Sequence, residues 1–109
     1  MTAPAQSTAW EAYRVVTDGL LPALRGGAVD SGAVRSQLGA VAARIERYSP
    51  LWGEHGPMLL AALRCAMGLY RAGDRDELTV LAHAMGDRLY LLSASPGRRR
   101  HPSDEPAPP

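Results

Sequence analysis

The sequence has no lysine, no phenylalanine and one cysteine, and each scarcity narrows what the chain can be. A single cysteine excludes an internal disulfide framework. With lysine absent, all twelve basic side chains are arginines. Arg98, Arg99 and Arg100 lie near the C-terminus with Asp104 and Glu105, which leaves nine basic and nine acidic side chains over residues 1–95. That balance lacks the basic stripe a nucleic-acid binder carries on its folded part. Long hydrophobic runs are missing too, because Arg and Gly punctuate every apolar stretch. Neither a spanning helix nor a signal peptide is expected, and the chain reads as soluble and cytoplasmic. No period-two alternation and no internal repeat is visible, so strands are not expected.

What is present is helical periodicity in a chain of 109 residues, 46% apolar, enough for one domain with a modest core. The expected fold is all-α, a small four-helix bundle with a kinked first helix. Residues 1–7 are expected to be a disordered N-terminus, residues 8–95 the bundle, and residues 96–109 a disordered Pro- and Arg-containing tail. Thr8 with Glu11 fits a capping box that starts helix one near Ala9, and Pro22 should kink or end it. Asp30 or Ser31 would cap helix two, whose Val34, Leu38, Val41, Ala42, Ile45 and Tyr48 share one face. Residues 49–56 form the longest break. Pro57 suits the first turn of helix three, and Gly73 its left-handed end. Asp74 with Glu77 then restarts helix four at once, as a tight αα-hairpin.

Helices three and four are apolar around too much of their circumference. Leu59, Leu60, Leu63, Met67 and Tyr70 form one stripe, but Met58, Ala62, Cys65 and Leu69 form a second. Helix four repeats the pattern. Leu78, Leu81, Ala82, Met85, Leu89 and Leu92 make its seam, with Val80, Ala84 and Leu91 on the far side. An apolar face in excess of the core predicts a partner, with Met58, Cys65, Leu69, Val80, Ala84 and Leu91 as its contacts. Trp52 has two readings, a plug for the end of the bundle or an anchor in that interface. The helical glycines Gly39, Gly68 and Gly86 imply close approach, either within the bundle or by a partner.

Catalytic options are few. Cys65 has no nearby base in sequence and is expected to be a buried structural thiol. His83, beside Tyr90, lacks a carboxylate or second histidine at ligand spacing. Glu54 and His55 form the one polar pair in a Gly-flanked loop, a candidate for facing an active site held elsewhere. Gly26-Gly27 has neither the strand nor the Lys of a phosphate loop. No catalytic, cofactor-binding or metal-binding residue is therefore assigned.

Over residues 8–95 the chain resembles the small helical subunit of bacterial cyclodipeptide oxidases. The likeness rests on size, on helix layout and on Glu11-Ala12-Tyr13-Arg14-Val15-Val16 through Leu20-Leu21-Pro22-Ala23-Leu24, then Trp52-Gly53-Glu54 ahead of Pro57. It implies a nitroreductase-like large subunit that carries FMN and dehydrogenates Cα–Cβ bonds of cyclic dipeptides. In that family the small subunit is required, brings no flavin-binding motif and co-assembles into large polymers. An alternative reading of the residues is a free-standing helical homodimer acting as an adaptor or regulator.

Overall fold

The computed structural model describes residues 3–26 and 32–94, and shows a small all-α bundle. The first helix of the bundle is composite: α1 (Ala3–Val15), a π-helical turn (Val16–Leu20) and α2 (Leu21–Arg25). Then come α3 (Gly32–Tyr48), a 3₁₀ turn (Ser49–Trp52), α4 (His55–Ala72) and α5 (Arg75–Ser93). Helix α1 packs on α5 and α3, and α4 packs on α5 and α3, so α5 touches both neighbours along its length.

The N-terminus departs from expectation. Helix α1 begins at Ala3, six residues before Ala9, so residues 3–7 belong to the bundle. Ala5, Ala9 and Ala12 are buried there, and that contact outweighs the local capping signal. Thr8 is consequently an interior residue of the helix, its hydroxyl donating back to the carbonyls of Pro4 and Ala5. Pro4 falls in the first turn, where its missing amide costs nothing. Pro22 neither ends the helix nor breaks it. The Leu21 amide bonds to the Val16 carbonyl, five residues back, and this wider turn makes room for the Pro22 ring. The helix closes at Gly26, whose amide reaches the Pro22 carbonyl at 3.0 Å. The linker caps Asp30 and Ser31, and the tail from residue 95 onward with Arg98, Arg99 and Arg100, lie outside the described residues.

The rest follows local rules. Val34, Leu38, Val41, Ala42 and Ile45 of α3 are buried as one face. The break at residues 49–56 is shorter than expected. It holds the 3₁₀ turn and a bend at Gly53, whose φ of 58° suits glycine. Gly73 ends α4 at φ 75°, and the Asp74 amide reaches the Leu69 carbonyl at 3.0 Å, a Schellman closure. One residue later the Asp74 carboxylate caps α5 by accepting from the Glu77 amide at 3.2 Å.

Only one of the three helical glycines, Gly86, sits at a close helix approach. A Cβ there would lie 3.4 Å from Val16 Cγ1, whereas Gly39 and Gly68 have nothing within 4 Å. Gly39→Ala and Gly68→Ala should each stabilise the chain by about 1 kcal/mol, read as a rise in thermal midpoint. Gly56→Ala should act in the opposite direction, because its Cβ would run into the Ser49 carbonyl. A fall in midpoint for Gly39→Ala or Gly68→Ala would show a contact that the fold lacks.

Candidate partner interface

Two seams of different depth run along the α4–α5 hairpin. The inner one holds Leu59, Leu63 and Ala66 of α4 against Leu78, Ala82, Met85, Leu89 and Leu92 of α5, all buried. Leu60, Met67, Tyr70 and Leu81, expected in the seam, are half-buried at its edges. The outer seam is a groove of about 140 Å³ whose walls include Met58 and Ala62 from α4 and Leu81, Ala84 and Arg88 from α5.

The candidate contacts fall in three groups. Met58 and Ala84 line the groove, Met58 at 48% exposure. Cys65, exposed, and Leu69, half-buried, continue the α4 flank toward the hairpin turn. Val80 and Leu91 lie on the outward face of α5, 63% and 67% exposed, the largest exposures of any sizeable apolar side chain described. Apolar area of this kind on one helix face is an interaction surface or an aggregation liability.

The anchor reading of Trp52, the burial of Cys65 and the loop placement of His55 need correction. Trp52 is fully buried, and its indole Nε1 donates to Thr8 Oγ1 at 3.2 Å. It plugs the bundle beneath α1 and presents no surface to a partner. Cys65 is exposed rather than buried, because its neighbour Ala66, about 100° around the helix, takes the inner seam. His55 is not in a loop but is the first residue of α4. Its Nδ1 lies 3.3 Å from Arg88 Nη1, and since a guanidinium only donates, Nδ1 is the acceptor. Glu54, in the preceding turn, is exposed and makes no capping bond. The polar end of the groove is thus His55 with Arg88.

Elsewhere Glu11 accepts from the Tyr48 hydroxyl at 3.2 Å and pairs with Arg44 Nε at 3.3 Å, a surface tie between α1 and α3. His83 is exposed. Among the described residues no three His, Cys, Asp or Glu gather as a metal site, and no helix is long and apolar enough to cross a membrane.

One further cluster escapes sequence reasoning. Trp10 and Tyr13 of α1 meet Tyr90 of α5, with ring centroids 5.2 Å, 5.3 Å and 6.5 Å apart. Trp10 falls outside the Ala9–Ala12–Val16 face, and only the packing of α1 on α5 brings Tyr90 to it. The three-residue spacing of Trp10 and Tyr13 is its one sequence trace. Comparison with protein-family models, with curated proteins and with solved structures finds no match for the chain.

Proposed function

We propose that this chain is the non-catalytic helical subunit of a flavin-dependent cyclodipeptide oxidase. Its role is to assemble with a nitroreductase-like flavoprotein that dehydrogenates Cα–Cβ bonds of diketopiperazines. The observation that carries the partner requirement is the exposed apolar face of α4 and α5, with Met58, Val80 and Leu91 about half to two-thirds in solvent. Covering side chains of this size contributes about 1.5–3 kcal/mol each when burial is complete. The choice of partner rests on the sequence resemblance.

Flavin belongs to the partner in this reading. The α4–α5 groove, about 140 Å³ and mostly apolar-walled, is where the flavoprotein packs in this reading. No step of the dehydrogenation is assigned to this chain. FMN would supply the hydride acceptor in the flavoprotein. Residues of the helical subunit dock, exclude water from the contact and place the His55–Arg88 end of the groove at its rim.

Two measurements test the proposal. Co-expressed with a nitroreductase-like flavoprotein encoded beside it, the chain should co-purify as a yellow, diketopiperazine-oxidising complex. Expressed alone, it should self-associate or melt broadly and remain colourless. A sharp-melting monomer with no affinity for such a flavoprotein, or a chain that binds flavin by itself, overturns the reading. A stable colourless homodimer that ignores the flavoprotein would instead identify an adaptor.

A further inference from the structure

The groove between α4 and α5 is apolar except at one end. Its middle is lined by the small residues Ala62 and Ala84, with Met58 and Leu81 beside them, and Arg88 is the one charged residue in its walls. Ala84 and Arg88 stand one turn apart on the same flank of α5, about 6 Å along the helix. The Arg88 side chain is half-buried and gives an N–H to an uncharged acceptor, Nδ1 of His55, at 3.3 Å. A guanidinium carries five such donors. Among the described residues no carboxylate pairs with it. Glu54, in the turn before α4, and Asp87, about 100° around α5 from Arg88, are both exposed and bring it no counter-charge.

In the free chain, water solvates the remaining donors. A partner that fills the groove removes that water. The groove ends at the rim of the contact, but Arg88 is half-buried before docking, and whatever occupies the groove covers more of it. A guanidinium left there with one neutral hydrogen bond is a charge stripped of water without a counter-charge, which costs more than the apolar contact beside it returns. The same group becomes an asset if the partner supplies a carboxylate, because arginine accepts that shape through two parallel N–H bonds. The bond to His55 already holds the fork in one orientation, so little side-chain freedom is left to lose.

We propose that the groove takes an apolar helical segment of the flavoprotein that carries an aspartate or glutamate one turn from its buried side chain, and that Arg88 binds this carboxylate. The apolar side chain sits over Ala62 and Ala84, and the carboxylate meets the guanidinium one turn along. The inference rests on the flavoprotein reading and adds to it the charge of the docking element. Charge complementarity selects this occupant: a wholly apolar segment strands Arg88, and a basic one opposes it.

The sign of one substitution tests it. Arg88→Met keeps an apolar stem of similar reach and removes the charge. Its affinity for the FMN-loaded flavoprotein encoded beside the chain, read by biolayer interferometry, should fall about thirtyfold, because the partner's carboxylate loses its counter-charge in a closed contact. Arg88→Lys, which keeps the charge without the fork, should fall between the native chain and Arg88→Met. Arg88→Glu should leave no measurable binding. Circular dichroism and thermal midpoints of the isolated variants check that each is folded. If the docking segment is wholly apolar, Arg88→Met removes a desolvation cost and the complex tightens. Tighter or unchanged binding therefore overturns the proposal. Leu91→Asp, measured alongside, separates the two failures. If it abolishes binding while Arg88→Met does not weaken it, the flavoprotein reading stands and the carboxylate inference fails. If Leu91→Asp binds like the native chain, the reading itself fails and the proposed occupant with it. Self-association of the isolated chain that Arg88→Glu abolishes, seen by sedimentation, also overturns the proposal and assigns the groove to a second copy.

Discussion

Leu91→Asp should abolish assembly with the partner, and with it the activity of the complex, while the isolated chain keeps its helical circular dichroism. Leu91 is 67% exposed and faces away from the seam, so a carboxylate there stays hydrated in the monomer and costs little. Buried against an apolar partner surface, the same carboxylate is an unpaired charge, which costs far more than the lost leucine contact. Leu89→Asp, two positions away, should do the reverse. Leu89 is fully buried in the α4–α5 seam. An unpaired charge there exceeds what a domain with about 5–15 kcal/mol of total stability withstands. Circular dichroism and co-purification of both variants read the pair together. If Leu91→Asp leaves the complex intact, the outward face of α5 is not the interface, and the partner proposal loses its physical support.

The contrast between these two leucines was open to sequence reasoning because both consequences are local to one helix. At 100° per residue, Leu89 falls with Leu78, Ala82, Met85 and Leu92, and Leu91 falls with Val80 and Ala84. The structure buries these seam residues, keeps Leu81, expected with them, half-buried at the edge, and leaves Val80, Ala84 and Leu91 in solvent. The same holds for the hairpin turn, where Gly73 and Asp74 act within a few residues of their own positions. Expectation fails where a residue's role depends on a distant segment. The capping signal at Thr8 is real as a local pattern, but Ala5, Ala9 and Ala12, strong helix formers at helical spacing, are buried and carry the helix back to Ala3. Cys65 and Ala66 are adjacent on an apolar helix, and only the position of α5 decides which is inside. The Trp10–Tyr13–Tyr90 cluster joins residues up to 80 positions apart by number, and nothing in the spacing of Tyr90 points to α1.

Trp52 is the sharpest instance, because the two readings its sequence allows predict opposite experiments. Its neighbours Pro50 and Gly53 suggest an exposed turn, and tryptophan in exposed turns anchors interfaces. The partner that decides the matter is Thr8, 44 residues earlier, whose hydroxyl accepts from the indole while donating into the first turns of α1. The ring therefore ties the end of α3 to the start of α1, with Tyr48 alongside at 6.4 Å. Trp52→Ala should cost about 3–5 kcal/mol, the loss for a large buried aromatic. A drop of that size consumes much of the stability of a small domain, so the variant should be largely unfolded or melt some tens of degrees lower at about 4–8 °C per kcal/mol. Thr8→Val should cost about 1–3 kcal/mol, since it leaves the buried indole donor unpaired without changing shape. Trp52→Phe should fall between the wild type and Trp52→Ala, keeping most of the volume and losing the hydrogen bond. Thermal melts of the three variants should therefore descend together. A Trp52→Ala chain that melts like the wild type, yet no longer binds its partner, would return the residue to the surface and show that the α1–Trp52 contact is not what holds this end of the bundle.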